Sequence, residues 1–271
     1  MMDGTGTFPR SLQRARGAIR TSFQNGALGS LFNSGSAKAL LPRSYGPATE
    51  VVLVNTAGGI TGGDVYSYEC CADASGVTVT TQTAERAYCS SGDQPAGLDV
   101  TLTACNGAKL HWLPQETILF DGSRLARRIE VNLDASSECL ILESLVFGRH
   151  AMGETLNRCQ FTDSWRIHRD GRLVHAEALR LERDIGRCLA HSAGADSAQM
   201  TAVAVYIGPR SAQIRADMAA ALARTGSRAA VSAWNGKVVM RMLARDTMTG
   251  KQDLTRFLTA MRGVQVPRVW Q

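Results

Sequence analysis

Long apolar runs are missing from this chain: nowhere in its 271 residues does one approach the roughly 20 needed to cross a bilayer. The first residues, Met1-Met2-Asp3-Gly4-Thr5-Gly6-Thr7, have neither a basic start nor an apolar stretch. They do not read as a secretory signal, so a cytoplasmic protein with no membrane partner is expected. Lysine is scarce, with Lys38, Lys109, Lys237 and Lys251 against 26 arginines among 30 basic residues. The net charge of +6 is scattered, as at Arg124, Arg127, Arg128, Arg166, Arg169 and Arg172, and interleaved with acids. Aromatic residues are few (6%), and no basic stripe carries them, which argues against a nucleic-acid partner. The seven cysteines (70, 71, 89, 105, 139, 159 and 188) form no C-x-x-C pair, which removes zinc ribbons and thioredoxin-like sites. Most are expected to be buried thiols. Cys70 and Cys71, adjacent in a strand, should point to opposite faces rather than form a pair.

What the chain has in abundance is period-two alternation. Leu98, Val100, Leu102 and Ala104 share one face, as do Ile129, Val131 and Leu133. Residues 77–81 and 236–243 also read as strands. Turn signals separate these runs: Ser75-Gly76, Asn106-Gly107, Asp121-Gly122, Asp170-Gly171 and Asn235-Gly236. Asn106-Gly107 and Asp170-Gly171 look like hairpin turns. Helical spacing appears late, within Arg210 to Arg224 and within Gln252 to Arg262. The expected fold is mainly β: one large coiled, β-helix-like or sandwich-like domain over residues 1–271, with about two helices in its carboxy-terminal half.

The segment Asn55-Thr56-Ala57-Gly58-Gly59-Ile60-Thr61-Gly62-Gly63-Asp64 follows a buried-strand signal, Val51 to Val54. It is not a phosphate loop, which needs a Lys and a Ser or Thr after its last glycine. Here an acid, Asp64, follows, and then Val65 to Cys70 alternates like a strand rather than a helix. A nucleotide-binding module is therefore the weakest reading, and a tight turn packed against other backbone is the plainer one.

Nucleophilic catalysis finds no support. His168-Arg169-Asp170 lacks the rest of a kinase loop, there is no G-x-S-x-G elbow, and the five histidines show no metal-binding spacing. The acids are more suggestive: Asp64, Glu85, Glu116, Asp121, Glu143, Glu154 and Glu177 sit in or near apolar, strand-like or glycine-rich segments. Glu143, within Leu140 to Phe147, has hydrophobes on both sides. Buried there, it must pair with a cation, bind a metal or line a water-filled path. Arg149 is one candidate partner. Structural ion pairs are the plain explanation for any single acid. A hydrolase using two of them as acid and base is the alternative from a different class.

The motifs together carry a resemblance. Residues 55–64 resemble the N-P-A-G-G-[LI]-T-G-G-D signature of the UreD (also UreH) family of urease accessory proteins. Thr80 to Ser90, Trp112 to Gly122, Phe147 to Glu154 and Pro267 to Trp270 are similar to further family blocks, in order along the chain. Thr56 stands where proline is common and Cys89 where arginine is common. The resemblance implies a non-enzymatic scaffold in nickel urease maturation, with a β-helix-like fold. Its partners would be UreF-like and UreG-like proteins and apo-urease. It also implies no tightly bound cofactor, but transient nickel in a hydrated internal channel. On local sequence, Asp64, Glu143 and Glu177 are the proposed lining groups, with Glu85, Glu116, Asp121, Arg149 and Glu154 as further functional candidates. Carboxylate ligands exchange such an ion more readily than a closed thiolate and imidazole shell.

Overall fold

The computed structural model describes residues 13–43, 46, 48–182 and 185–270. The signal-peptide reading of Met1 to Thr7 lies outside them. The chain begins with β1 (Arg16–Gln24), β2 (Ala27–Gly35), β3 (Ala37–Leu40), β4 (Thr49–Asn55), β5 (Val65–Asp73) and β6 (Gly76–Thr81). Next come β7 (Glu85–Ala87), β8 (Ala96–Cys105), β9 (Lys109–Leu113), β10 (Thr117–Leu119), β11 (Ser123–Leu133) and β12 (Glu138–Phe147). Then follow β13 (Cys159–Arg169), β14 (Arg172–Glu182), α1 (Ile185–Ala190), β15 (Met200–Ile207) and α2 (Ser211–Leu222). The last strands and α-helix are β16 (Arg228–Trp234), β17 (Lys237–Ala244) and α3 (Thr247–Arg262).

Two sheets result. The first runs β14-β13-β11-β8-β5-β1-β2, and the second runs β16-β17-β15-β12-β9-β6-β4-β3 with β7 and β10 attached. From β4 to β13 the chain passes back and forth between them, adding parallel strands to each. This is the coiled, mainly β architecture that the short strand spacing predicts. Antiparallel strands close the first sheet at both edges, with β2 on β1 and β14 on β13. Every residue of β2 is exposed, including Leu28, Leu31 and Phe32.

Alternation decides which side chains enter the space between the sheets. Leu98, Val100, Leu102, Ile129 and Val131 are buried there with Leu110, Trp112 and Ile141. A second core forms on the outer face of the second sheet, where Leu140, Leu142 and Met240 meet Ile214 and Met218 of α2 and Leu254, Phe257 and Leu258 of α3. The second sheet is thus covered on both faces, and every residue of β12 is buried. That is why residues 140–147 read as an almost unbroken apolar run.

Three local expectations change. Asp170-Gly171 does close the β13–β14 hairpin, with φ of 49° and 75°. Asn106-Gly107 has the same positive φ values, 56° and 76°, yet turns a corner from β8 in one sheet to β9 in the other. The dihedral signal is local, whereas the pairing is set by long-range burial. α3 starts five residues before the Gln252 boundary, because the Asp246 carboxylate accepts the Thr249 N–H at 2.8 Å as an N-cap. Finally, Cys70, Cys139 and Cys159 are buried, but Cys71 and Cys105 are half-buried and Cys89 and Cys188 exposed, so the expected burial holds for a minority.

Candidate functional site

Strand register places a buried ionic cluster between the sheets. Arg127 on β11 sits directly beside Asp163 on β13. Both are in phase with inward hydrophobes, Leu125 and Ile129 in one strand and Phe161 and Trp165 in the other. Glu143 projects toward them from β12. The Arg127 guanidinium donates Nε–H to Asp163 Oδ1 at 3.0 Å and Nη2–H to Oδ2 at 2.6 Å. Its Nη1 donates to Thr117 Oγ1 at 3.2 Å and, in a short contact, to Glu143 Oε2. Trp112 Nε1–H completes the Glu143 shell at 2.8 Å. All three charged groups are less than 10% exposed. Burial holds the Glu143 carboxyl well above the usual range, although Arg127 draws it down; nearby Asp163 reinforces the rise. Burial disfavours the Arg127 charge, but Asp163 and Glu143 outweigh it and keep the guanidinium firmly protonated.

The cluster borders a cavity of about 360 Å³, roofed by Cys188 and Leu189 of α1 and by Gly194 and Ala195. Glu177 of β14 and Arg241 of β17 stand on the same cavity. Arg241 grips Glu177 with two bonds, Nη1 at 3.1 Å and Nη2 at 2.5 Å, and His175 Nε2 lies 3.7 Å away. Against the effect of burial, these two neighbours hold the Glu177 carboxyl at about 2. Trp165 also lines the cavity and carries a buried indole N–H with no hydrogen-bond partner among the described residues. The structure therefore brings together two of the three proposed lining acids, Glu143 and Glu177, each held by an arginine.

Asp64 is elsewhere, and its role is local. Its carboxylate accepts the Ala15 N–H at 2.8 Å and the Thr61 N–H at 2.9 Å, pinning the glycine segment to the start of β1. That segment needs its glycines for close approach. A Cβ on Gly62 would stand 2.0 Å from Ser90 Oγ and 2.6 Å from the Gln94 carbonyl. One on Gly59, at φ +156°, would meet the Tyr88 ring at 2.3 Å. The tight-turn reading thus accounts for the most conspicuous motif in the chain. Asn55 ties the turn to Glu85, donating from Nδ2 to Gly59 O at 3.0 Å and to Glu85 Oε1 at 3.2 Å. Burial raises the Glu85 carboxyl to about 7.

The other candidates also have partners. Glu116 is buried against Lys251 at 2.6 Å. Asp121 accepts the Asn157 and Arg158 N–H groups at 2.8 and 2.7 Å. Arg149 pairs with Glu154 at 2.9 Å and lies over the Phe120 ring, so it is not the partner of Glu143. Sequence reasoning missed Arg127, Asp163 and Arg241. The signal for the first two was present: each falls at an inward position of an alternating strand. Among the described residues, no group of three or more His, Cys, Asp or Glu side chains is placed to hold a metal ion. The paired carboxylates nearest to a hydrolase arrangement, Glu143 and Asp163, are both bound to one guanidinium.

Comparison with known proteins agrees with the motif blocks. A family model described as UreD urease accessory protein matches residues 13–271. A urease accessory protein UreD of Dinoroseobacter shibae is 44% identical over 96% of this chain and 93% of its own length. "Urease accessory protein UreD 3" of a Bradyrhizobium species is 41% identical, covering 95% and 94%. A UreD of Rhizobium leguminosarum bv. trifolii is 38% identical, covering 100% and 99%. The chain belongs to the UreD family of urease accessory proteins.

Proposed function

We propose that this protein is a cytoplasmic, non-catalytic scaffold of urease maturation, which joins UreF-like and UreG-like proteins on apo-urease and passes nickel toward the urease active site. The observation that carries this reading is the family match over nearly the whole chain. Nickel is cargo here, not a resident cofactor. The cavity beside Glu143 and Glu177 is the stretch of interior best suited to such an ion, because it has carboxylate walls and a free Trp165 N–H that water would satisfy. An ion entering it would compete with Arg127 and Arg241 for the same oxygens. That competition favours brief contacts over storage. Asp64, hydrogen-bonded to the Ala15 and Thr61 amides, serves the turn and lies outside the lining of this cavity.

The test is nickel-dependent activation of apo-urease reconstituted with purified partners. The Glu143→Gln, Glu177→Gln double variant should still assemble with the partners but activate poorly. Full activation by that variant would remove this cavity from the route. Full activation of apo-urease with this chain left out would remove the scaffold role itself.

A further inference from the structure

A larger cavity, about 710 Å³, opens beyond the first residues of three parallel strands: Gly76 of β6, Lys109 of β9 and Glu138 of β12. Arg210, ahead of α2, and Arg262, in the last turn of α3, border it from the helical side. Five cationic side chains line it (Lys109, Arg210 and Arg262 with Arg43 and Arg268), against two carboxylates, Glu50 and Glu138.

Glu138 is engaged through Oε2, which accepts the Tyr206 hydroxyl at 2.5 Å and lies 3.5 Å from Arg210 Nε. Its Oε1, with no hydrogen-bond partner among the described residues, lies 3.7 Å from Lys109 Nζ, which offsets its charge. Arg262 is different. It is only 8% exposed, yet its bonds go to neutral acceptors: His111 Nδ1 at 3.3 Å, Thr78 Oγ1 at 3.4 Å and the Gln265 carbonyl. Among the described residues no carboxylate lies within ion-pair distance of it. Glu50, on the same cavity, acts on it only from beyond that distance, and a buried cation without a close counter-ion is costly, so a protein that keeps one has a use for the charge.

His111 supplies the second, independent observation. It is 9% exposed and lines the same cavity. Because Nδ1 accepts from Arg262, the ring proton of the neutral imidazole sits on Nε2. Among the described residues that Nε2–H has no hydrogen-bond partner. Burial and the nearby cations Arg262, Arg210 and Lys109 keep the ring neutral, so it remains a one-proton donor. The site thus combines surplus positive charge, a fixed guanidinium and an unused N–H donor. Guanidinium groups match oxyanions in geometry as well as charge. Among the described residues no phenylalanine, tyrosine or tryptophan lines the cavity, so these offer a nucleobase no ring to stack on.

We propose that this cavity binds a polyvalent phosphate oxyanion through Arg262, His111 Nε2–H and the rim cations Arg210 and Arg268. Calorimetric titration of the full chain with inorganic phosphate and with pyrophosphate, at fixed ionic strength set by chloride, tests it. Saturable binding near one equivalent is expected. Arg268→Ala and Arg210→Ala, at the open side, should each weaken it about tenfold, and Arg262→Met more strongly, while circular dichroism of the rim variants stays unchanged. A nucleoside diphosphate arm separates sources: binding no tighter than pyrophosphate assigns the free anion, and tighter binding assigns a phosphate ester. Absence of saturation by any of the three at about 10 mM overturns the proposal, as does equal affinity in the three variants. Urease plays no part in the readout, so this result stands apart from the maturation role.

Discussion

Arg127 is the residue on which the interior turns. One guanidinium satisfies Asp163 and Glu143, with Thr117 taking a further N–H, in a space where none of the charges could remain alone. Arg127→Met would leave two buried carboxylates without a cation, and about 3–5 kcal/mol of stability should go with it, read as a lower urea midpoint. Adding Glu143→Gln and Asp163→Asn to Arg127→Met should restore much of that loss; no recovery would mean that the cluster matters for packing rather than charge. Glu143 was legible in the sequence because hydrophobes surround it on both sides of its strand. Arg127 was legible in principle, two residues from Leu125 and from Ile129, but looked like scatter beside Arg124 and Arg128. Its partners were not legible at all, since only the pairing of β11 with β13 and the facing of β12 bring them together.

At the scale of elements, the glycine turn and the helices show where local rules suffice. Strands announced themselves by alternation, and the carboxy-terminal helices by spacing. The start of α3 was obscured by Gly250, a poor helix former, whose place is dictated by packing: a Cβ there would stand 2.7 Å from Met200 Sδ and 2.8 Å from Ala244 Cβ. In the turn, glycines differ in what they tolerate. Gly58 has a positive φ of 80° but nothing within 4 Å, so Gly58→Ala meets backbone strain alone, on the order of 1 kcal/mol. Gly62→Ala would drive a methyl group into the Gln94 carbonyl, which cannot rotate away as a side chain can. Thermal melts should therefore rank Gly62→Ala as the more damaging, by several degrees. The reverse order would show that the 90–94 loop yields easily.

For the whole molecule, buried titratable groups pull stability in opposite directions with pH. Glu85, held at about 7 in the fold, binds more protons there than in the unfolded chain between the ordinary carboxylate range and that value. Its contribution is present in acid and is lost as pH rises through that window, and Glu143, also raised, acts in the same sense. His111, pushed down to about 3, does the reverse, as does Glu177 at about 2: their contributions are lost on acidification. Stability should crest on the acid side of neutral, measured as urea midpoints from about pH 4 to about pH 8. Glu85→Gln should flatten the decline toward pH 8, and an unaltered slope would place that titration elsewhere.

The outermost strand of the first sheet has a consequence for handling the protein. β2 gives one flank to β1, and among the described residues no strand covers the other flank, with Leu28, Leu31 and Phe32 nearby. Such a rim is a template for a further strand, and a neighbouring molecule offers an identical one. Crowding the chain by itself thus invites lateral growth, copy upon copy, so storage calls for dilution.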